Sequence, residues 1–215
     1  MNTVILSKVL VIPGILIGLT IHEYAHAFVA DRLGDKTPKF QGRLTLNPLV
    51  HIDIVGFIMI LLVGFGWAKP VETNPSAYRN GYKDDLKVSI AGPMANLIVA
   101  FIFTFITVFF YKFTIGNNLI LYTIVNIIIK MLLQVVSINC MLFVFNLIPI
   151  PGLDGFHILR DLFPSTYYNI SDKLYRYQLI ILIVFVATPV AYYIVGIPSG
   201  LIYSKFIKIA TSLIG

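Results

Sequence analysis

Residues 3 to 30 read TVILSKVLVIPGILIGLTIHEYAHAFVA. From Thr3 to Ile21 only Thr3, Ser7, Lys8 and Thr20 interrupt an otherwise apolar run, and the block exceeds the ~20 residues a helix needs to cross a bilayer. It has no small-residue cleavage signature, and it ends in His22, Glu23 and His26, for which a signal peptide has no use. A permanent membrane span is expected, carrying two histidines and a glutamate in an apolar setting.

The rest of the chain has the same character. Of its 215 residues 58% are hydrophobic and 12% charged, and the mean hydropathy of +0.86 lies far outside the range of a soluble globular domain. The hydrophobic residues come in long blocks and do not alternate at strand period, which predicts spanning helices and excludes barrel strands. The expected fold class is an all-α polytopic membrane protein with about four to six transmembrane helices. Blocks long enough to cross are Thr3 to Ala30, Val88 to Tyr111, Leu119 to Ile148 and Gln178 to Ile197. The tail from Gly200 to Ile214 suits a last span or an interfacial helix. The single Cys140 excludes an intrachain disulfide and a cysteine-rich metal site, and is expected only to fill space.

Net charge of +6 does not signal nucleic acid, because the basic residues fall in the connections between apolar blocks, where they report topology. Arg32, Lys36, Lys39 and Arg43 precede the short apolar block Ile54 to Trp67, and Lys69, Arg79, Lys83 and Lys87 follow it. Both of its ends therefore look cytoplasmic, and with Gly56, Gly64 and Gly66 inside it the block is expected to be re-entrant. Arg160, Lys173 and Arg176 join the same side, against Lys8 and Lys112 outside. Lys130, well inside its span, must snorkel outward or face a polar interior. Alternation at Phe40, Leu44 and Leu46 predicts a short strand at the membrane edge. One integral membrane domain is expected over residues 1–215, with a catalytic core at about 3–160 and C-terminal helices at about 178–214.

Residues four apart on a helix are offset by about 40° and rise by about 6 Å, so His22 and His26 can share one ion. Glu23, about 100° round, is badly placed to be a ligand and well placed to be a general base. Ionisable side chains in a span cost about 2.5–3.5 kcal/mol each and are kept mainly for function. The alternative is that this end of the helix merely emerges at the surface, where Asp31 and Arg32 follow. A third ligand would separate the two readings, since catalytic zinc takes three protein ligands and leaves a position for water. The span ending at Ile148 runs into NLIPIPGLDGFH, where Pro149 and Pro151 must break the helix and Asp154 follows. Asp154 is the candidate, although an aspartate before Gly155 also suits an interfacial turn. Asn139 and Asn146 share one helical face; Asn146 could donate to an oxyanion, whereas Asn139 suits interhelical bonding. Gly92, Pro93 and Asn96 in AGPMAN suit close helix packing, with Asn96 bonding to a neighbouring backbone.

HEYAH in an apolar helix, GPMAN opening a later span and NLIPIPGLDG ending another, in that order, make the chain resemble the site-2 protease family of intramembrane zinc metalloproteases. The resemblance covers roughly Gly18 to Arg160. It implies that His22, His26 and Asp154 bind Zn2+, that Glu23 activates water, and that Asn146, eight residues before the aspartate, helps to stabilise the transition state. GRLTLNPLVHID and GWAKPV look like the short bacterial-type branch, which has no PDZ domain to select substrates. LDGFHILR departs from the many relatives that continue the aspartate motif with a second glycine and an arginine. His51 could reach the zinc region as a further ligand or as a hydrogen-bond donor, and His157 could orient the Asp154 carboxylate; both also suit an interfacial role.

The expected activity is hydrolysis of peptide bonds in transmembrane or membrane-associated substrates by zinc-activated water. The expected setting is a bacterial plasma membrane with the site toward the cytoplasm, and the expected partners are the bilayer and a transmembrane protein or peptide. An ion path through a transporter would string acidic and histidine residues through the membrane depth, whereas here they gather near the ends of two helices. An inactive relative acting as a scaffold is the other alternative. Substrate identity, regulatory partner and oligomeric state are not legible in the sequence.

Overall fold

A computed structural model describes residues 3–111 and 119–214, the side chains of residues 3–5 and 119 excepted. The expected outer loop at Lys112 lies outside the described residues. The helices are α1 (Thr3–Leu33), α2 (Thr37–Phe40), α3 (Ile54–Val63), α4 (Tyr82–Tyr111), α5 (Leu119–Asn146), α6 (Asp154–Leu162), α7 (Pro164–Arg176), α8 (Gln178–Ala187), α9 (Pro189–Ala191) and α10 (Ile197–Ile214), with a π turn at Tyr192–Gly196 between the last two. Among the described residues four stretches are long and apolar enough to cross a membrane: Leu6–Leu33, Tyr82–Tyr111, Ile120–Asn146 and Pro189–Ile214. The architecture is that of an all-α polytopic membrane protein.

Helices α1, α4 and α5 pack on one another, and α10 packs on α4 and α5. Small residues set the spacing. A side chain at Gly14 or Gly18 of α1 would run into Ile138 or Leu142 of α5, each 2.7 Å from the added carbon, so the glycines let these helices approach closely. Cys140 is fully buried with Ala100 and Val136 beneath Phe103 and Phe206, a space-filling role. Ile98, Phe101 and Ile102 on α4 and Ile124 and Ile127 on α5 face outward, as expected where the solvent is lipid. Lys130 is exposed on α5, which leaves snorkelling as its route to water.

The block after α2 folds back on itself. Helix α3 ends at Gly64, whose φ of 80° closes the last turn, and an extended arm returns beside it. Ile52 forms an antiparallel bridge with Ala68, and Lys69 N donates to His51 O at 2.9 Å. A side chain at Gly56 would collide with the Trp67 carbonyl and one at Gly66 with that of Gly56, so helix and arm touch backbone to backbone. Lys8 Nζ donates to Leu62 O at 3.4 Å near the tip, and Val71 N donates to Glu23 Oε2 at 2.8 Å near the base. Lys8 and Glu23 are ~22 Å apart along α1, short of the ~30 Å hydrocarbon core. The element folds back on itself beside α1, the hairpin shape expected of a re-entrant element.

Two expectations need correction. The strand expected from Phe40 to Leu46 does not form: Phe40 ends α2, Gly42 turns the chain at φ 69°, and Asn47 caps the short turn Pro48–Val50. The alternating leucines find no neighbouring strand and stay without a ladder. The span expected over Gln178 to Ile197 breaks at Thr188, which is extended (φ −101°, ψ 161°) ahead of Pro189. A residue before proline is pushed out of the helical region, and proline has no N–H to continue the ladder. Helix α8 is therefore too short to cross, and the fourth span starts at Pro189 and absorbs the tail to Ile214.

Candidate active site

His22, Glu23 and His26 are buried on the C-terminal half of α1, with both imidazoles against α4 and the start of α6. Helix α5 stops at Asn146. The turn Leu147–Leu153, which contains Pro149, Gly152 (φ 93°) and Pro151, then carries the chain to Asp154 in the first turn of α6. Ile150 and Leu153 of this turn are buried against Phe185 of α8 and Val195 of the π turn, so the C-terminal elements hold the aspartate loop from outside. Gly155 permits the approach, because any side chain there would strike the carbonyls of Leu147 and Ile148.

Three donors converge. His22 Nε2 lies 3.1 Å from Asp154 Oδ2, His26 Nε2 lies 3.3 Å from Asp154 Oδ1, and the two Nε2 atoms are 3.1 Å apart. All the ligand atoms fall within 4.8 Å of one another. The far sides of both rings are already committed. His22 Nδ1 is 2.7 Å from Asn96 Oδ1, and His26 Nδ1 is 2.7 Å from Val88 O. Asn96 can only accept there, because its Nδ2 donates to Gly18 O and to Asn139 Oδ1, both at 2.9 Å. Each histidine therefore carries a proton on Nδ1, which in the neutral ring leaves the Nε2 lone pair facing its neighbour and the carboxylate. Two imidazole nitrogens and a carboxylate this close together, with Asp154 Oδ2 buried and without a donor, form a donor set that fits a cation.

Helix α4 is cut to receive the imidazoles. A side chain at Gly92 would overlap both rings, and Pro93 removes the N–H that would bond to the Ser89 carbonyl, next to the Val88 carbonyl that accepts His26. Arg160 pairs with Asp85 and, at 3.0 Å, with Asp161, which fastens α6 and its aspartate to the start of α4.

The cluster opens into a cleft of about 400 Å³ that Glu23, Val71, Thr73, Ser89, Asn146 and His157 also line. Val71 N holds Glu23 on its wall. Asn146 reaches the cleft while its Nδ2 donates to Leu142 O at 3.0 Å on its own helix. His157 lines the cleft outside the three-donor cluster; burial, and after it the charge of Arg160, lower its pKa. His51 is fully buried at the base of the α3 hairpin with Nε2 2.8 Å from Thr45 O, outside the three-donor cluster, and burial lowers its pKa too. A larger cavity of about 750 Å³, mostly apolar, runs from Leu19, Leu142 and Phe145 to Lys8 and Leu62.

Sequence reasoning missed the Val71 backbone donor, the Asp85–Arg160 pair and the contact of Gly92 with both rings. A backbone N–H leaves no residue signature. Arg160 carried a signal only as a topological charge.

The family model described as peptidase family M50 matches residues 10–189. The chain belongs to peptidase family M50. The match agrees with the site-2 protease resemblance carried by HEYAH, GPMAN and NLIPIPGLDG, and makes this M50 member an integral membrane peptidase. The Bacillus subtilis (strain 168) protein named "Putative zinc metalloprotease YwhC" is 39% identical over 180 residues, which cover 84% of this chain and 81% of that one. "Putative zinc metalloprotease Rip2" of Mycolicibacterium smegmatis is 32% identical over 187 residues, 84% of this chain and 68% of that one. "Zinc metalloprotease MJ0392" of Methanocaldococcus jannaschii is 27% identical over 175 residues, 81% of this chain and 40% of that one. No solved structure gives a significant match.

Proposed function

We propose that the chain is an intramembrane zinc endopeptidase that cleaves transmembrane or membrane-associated segments. The observation that carries this reading is the convergence of His22, His26 and Asp154 with both Nδ1 atoms already bonded, beside a buried glutamate on a cleft. His22, His26 and Asp154 would hold Zn2+, as the names of the relatives suggest. Zinc held there supplies Lewis acidity, which brings the ionisation of water toward neutral pH and polarises a carbonyl.

The chain's own groups do the rest. Glu23, one residue round the helix from His22, takes a proton from the attacking water as the C–O bond forms. It gives that proton to the amide nitrogen as the C–N bond breaks, so no net proton is exchanged. Asn146 reaches the same cleft and can turn its amide from Leu142 O to an oxyanion. Asn96 keeps His22 in one tautomer, and the Val88 carbonyl does the same for His26. The neighbouring apolar cavity supports an apolar segment as substrate. Because a helix hides its carbonyls in hydrogen bonds, that segment must unwind locally before it meets Glu23.

The eleven basic residues Arg32, Lys36, Lys39, Arg43, Lys69, Arg79, Lys83, Lys87, Arg160, Lys173 and Arg176 support a cytoplasmic placement of the site in a bacterial plasma membrane. The helices after Gln178 brace the Asp154 loop, which supports one functional unit made of a core at about 3–160 and a C-terminal buttress.

The reading is tested by metal removal in detergent. Chelator-treated protein should lose cleavage of a transmembrane model peptide and regain it with one equivalent of zinc. Cleavage that survives complete zinc removal would refute it. Zinc-dependent solute flux in liposomes without any proteolysis would favour a transporter.

A further inference from the structure

Arg43 is 4% exposed although it lies in irregular chain between α2 and the Pro48–Val50 turn. Its Nη1 donates to Val50 O and its Nη2 to Lys69 O, while Nε is buried without a partner. Val50 and Lys69 stand at the two ends of the α3 hairpin, so one guanidinium clamps its base shut. Burying a cation whose hydrogen bonds go to neutral carbonyls is costly, and the nearby charges of Glu23 and Glu72 offset this only in part. The fork is suited to that task because its donors point in fixed, divergent directions, which an ammonium does not offer. Two residues beyond Lys69, Val71 N holds Glu23 Oε2 at 2.8 Å. The clamp and the glutamate are thus joined by a single short run of irregular backbone, Lys69–Pro70–Val71, stiffened at its centre by proline.

We propose that Arg43 is a positioning residue for the glutamate base: it fixes the Lys69–Val71 backbone so that the Val71 N–H holds the Glu23 carboxylate against the wall of the cleft. The proposal rests on the reading of Glu23 as the base. It gives Arg43 a role beyond the topological one expected of the basic residues. Its consequence is that the hairpin belongs to the catalytic machinery through one backbone hydrogen bond.

The test compares purified Arg43→Lys and Arg43→Met with wild type and Glu23→Gln, reading zinc per chain and kcat and KM on a transmembrane model peptide. Both Arg43 variants should hold wild-type zinc with KM within about twofold. Turnover per bound zinc should fall about tenfold in Arg43→Lys and about a hundredfold in Arg43→Met, the scale on which a displaced reacting group is felt. A purely structural role would lower the zinc-loaded fraction and leave turnover per bound zinc at the wild-type value in both; that result overturns the proposal. If neither variant loads zinc, Val71→Pro decides, since it deletes the N–H and leaves Arg43 in place. A turnover drop of about tenfold in it supports the proposal, and wild-type turnover overturns it. Undiminished cleavage by Glu23→Gln would instead overturn the reading of the base, whereas an inactive Glu23→Gln beside a fully active Arg43→Met would fail Arg43 alone.

Discussion

At the scale of single residues, the site is defined by which side of each imidazole is already spent. Asn96 accepts from His22 and donates to Gly18 and Asn139, so Asn96→Leu should free the ring to rotate. Zinc affinity, read by chelator competition, should fall 10- to 100-fold, the usual cost of losing the group that orients a ligand histidine. His51 makes a second prediction. Burial lowers its pKa below 6.5, and the Thr45 carbonyl offsets this only in part while Arg43 adds to it. The unfolded chain then takes up that proton at higher pH than the folded one, so stability is lost as pH falls through about 6.5 and below. The thermal midpoint of the wild type should drop between about pH 7.5 and 5.5, and that of His51→Gln should drop less. His22, Glu23 and His26 were legible in the sequence because ionisable residues in an apolar helix stand out against their surroundings, and Asp154 because Pro149 and Pro151 break the chain just ahead of it. Val71 and Arg43 were not, because one acts through its backbone and the other looked like any topological charge.

At the scale of elements, the site depends on helices that approach one another more closely than ordinary side chains allow. Gly92→Ala puts a methyl group where both imidazoles lie, so α4 must move off α1. The expected outcome is loss of bound zinc at nearly wild-type helix content, measured by metal analysis and circular dichroism. Gly64→Ala is the contrasting case, since nothing lies near its added carbon and only its left-handed conformation is strained; zinc binding should survive it. Length and hydropathy made α1, α4 and α5 readable, and the short glycine-containing block between charged flanks made a hairpin at Ile54–Trp67 readable. The C-terminal helices were misread because hydropathy ignores what Pro189 does to Thr188. The leucines of GRLTLNP alternate as a strand would, but alternation cannot supply a partner.

At the scale of the whole molecule, a polytopic helical scaffold buries the polar cluster of His22, Glu23, His26 and Asp154 within largely apolar helices. The hairpin gives a topology test, because Cys140 is the sole cysteine and is fully buried. Cysteines placed singly at Lys36 and Arg79 in intact vesicles should both react with an impermeant thiol reagent from the cytoplasmic side alone. Labelling from opposite sides would mean that Ile54–Val63 crosses the bilayer. The central claim, that Glu23 is the base beside a zinc held by His22, His26 and Asp154, meets its most direct test in purified Glu23→Gln. This variant should retain wild-type zinc and fail to cleave a transmembrane model peptide that the wild type cuts. Undiminished cleavage by the zinc-loaded variant would contradict the claim.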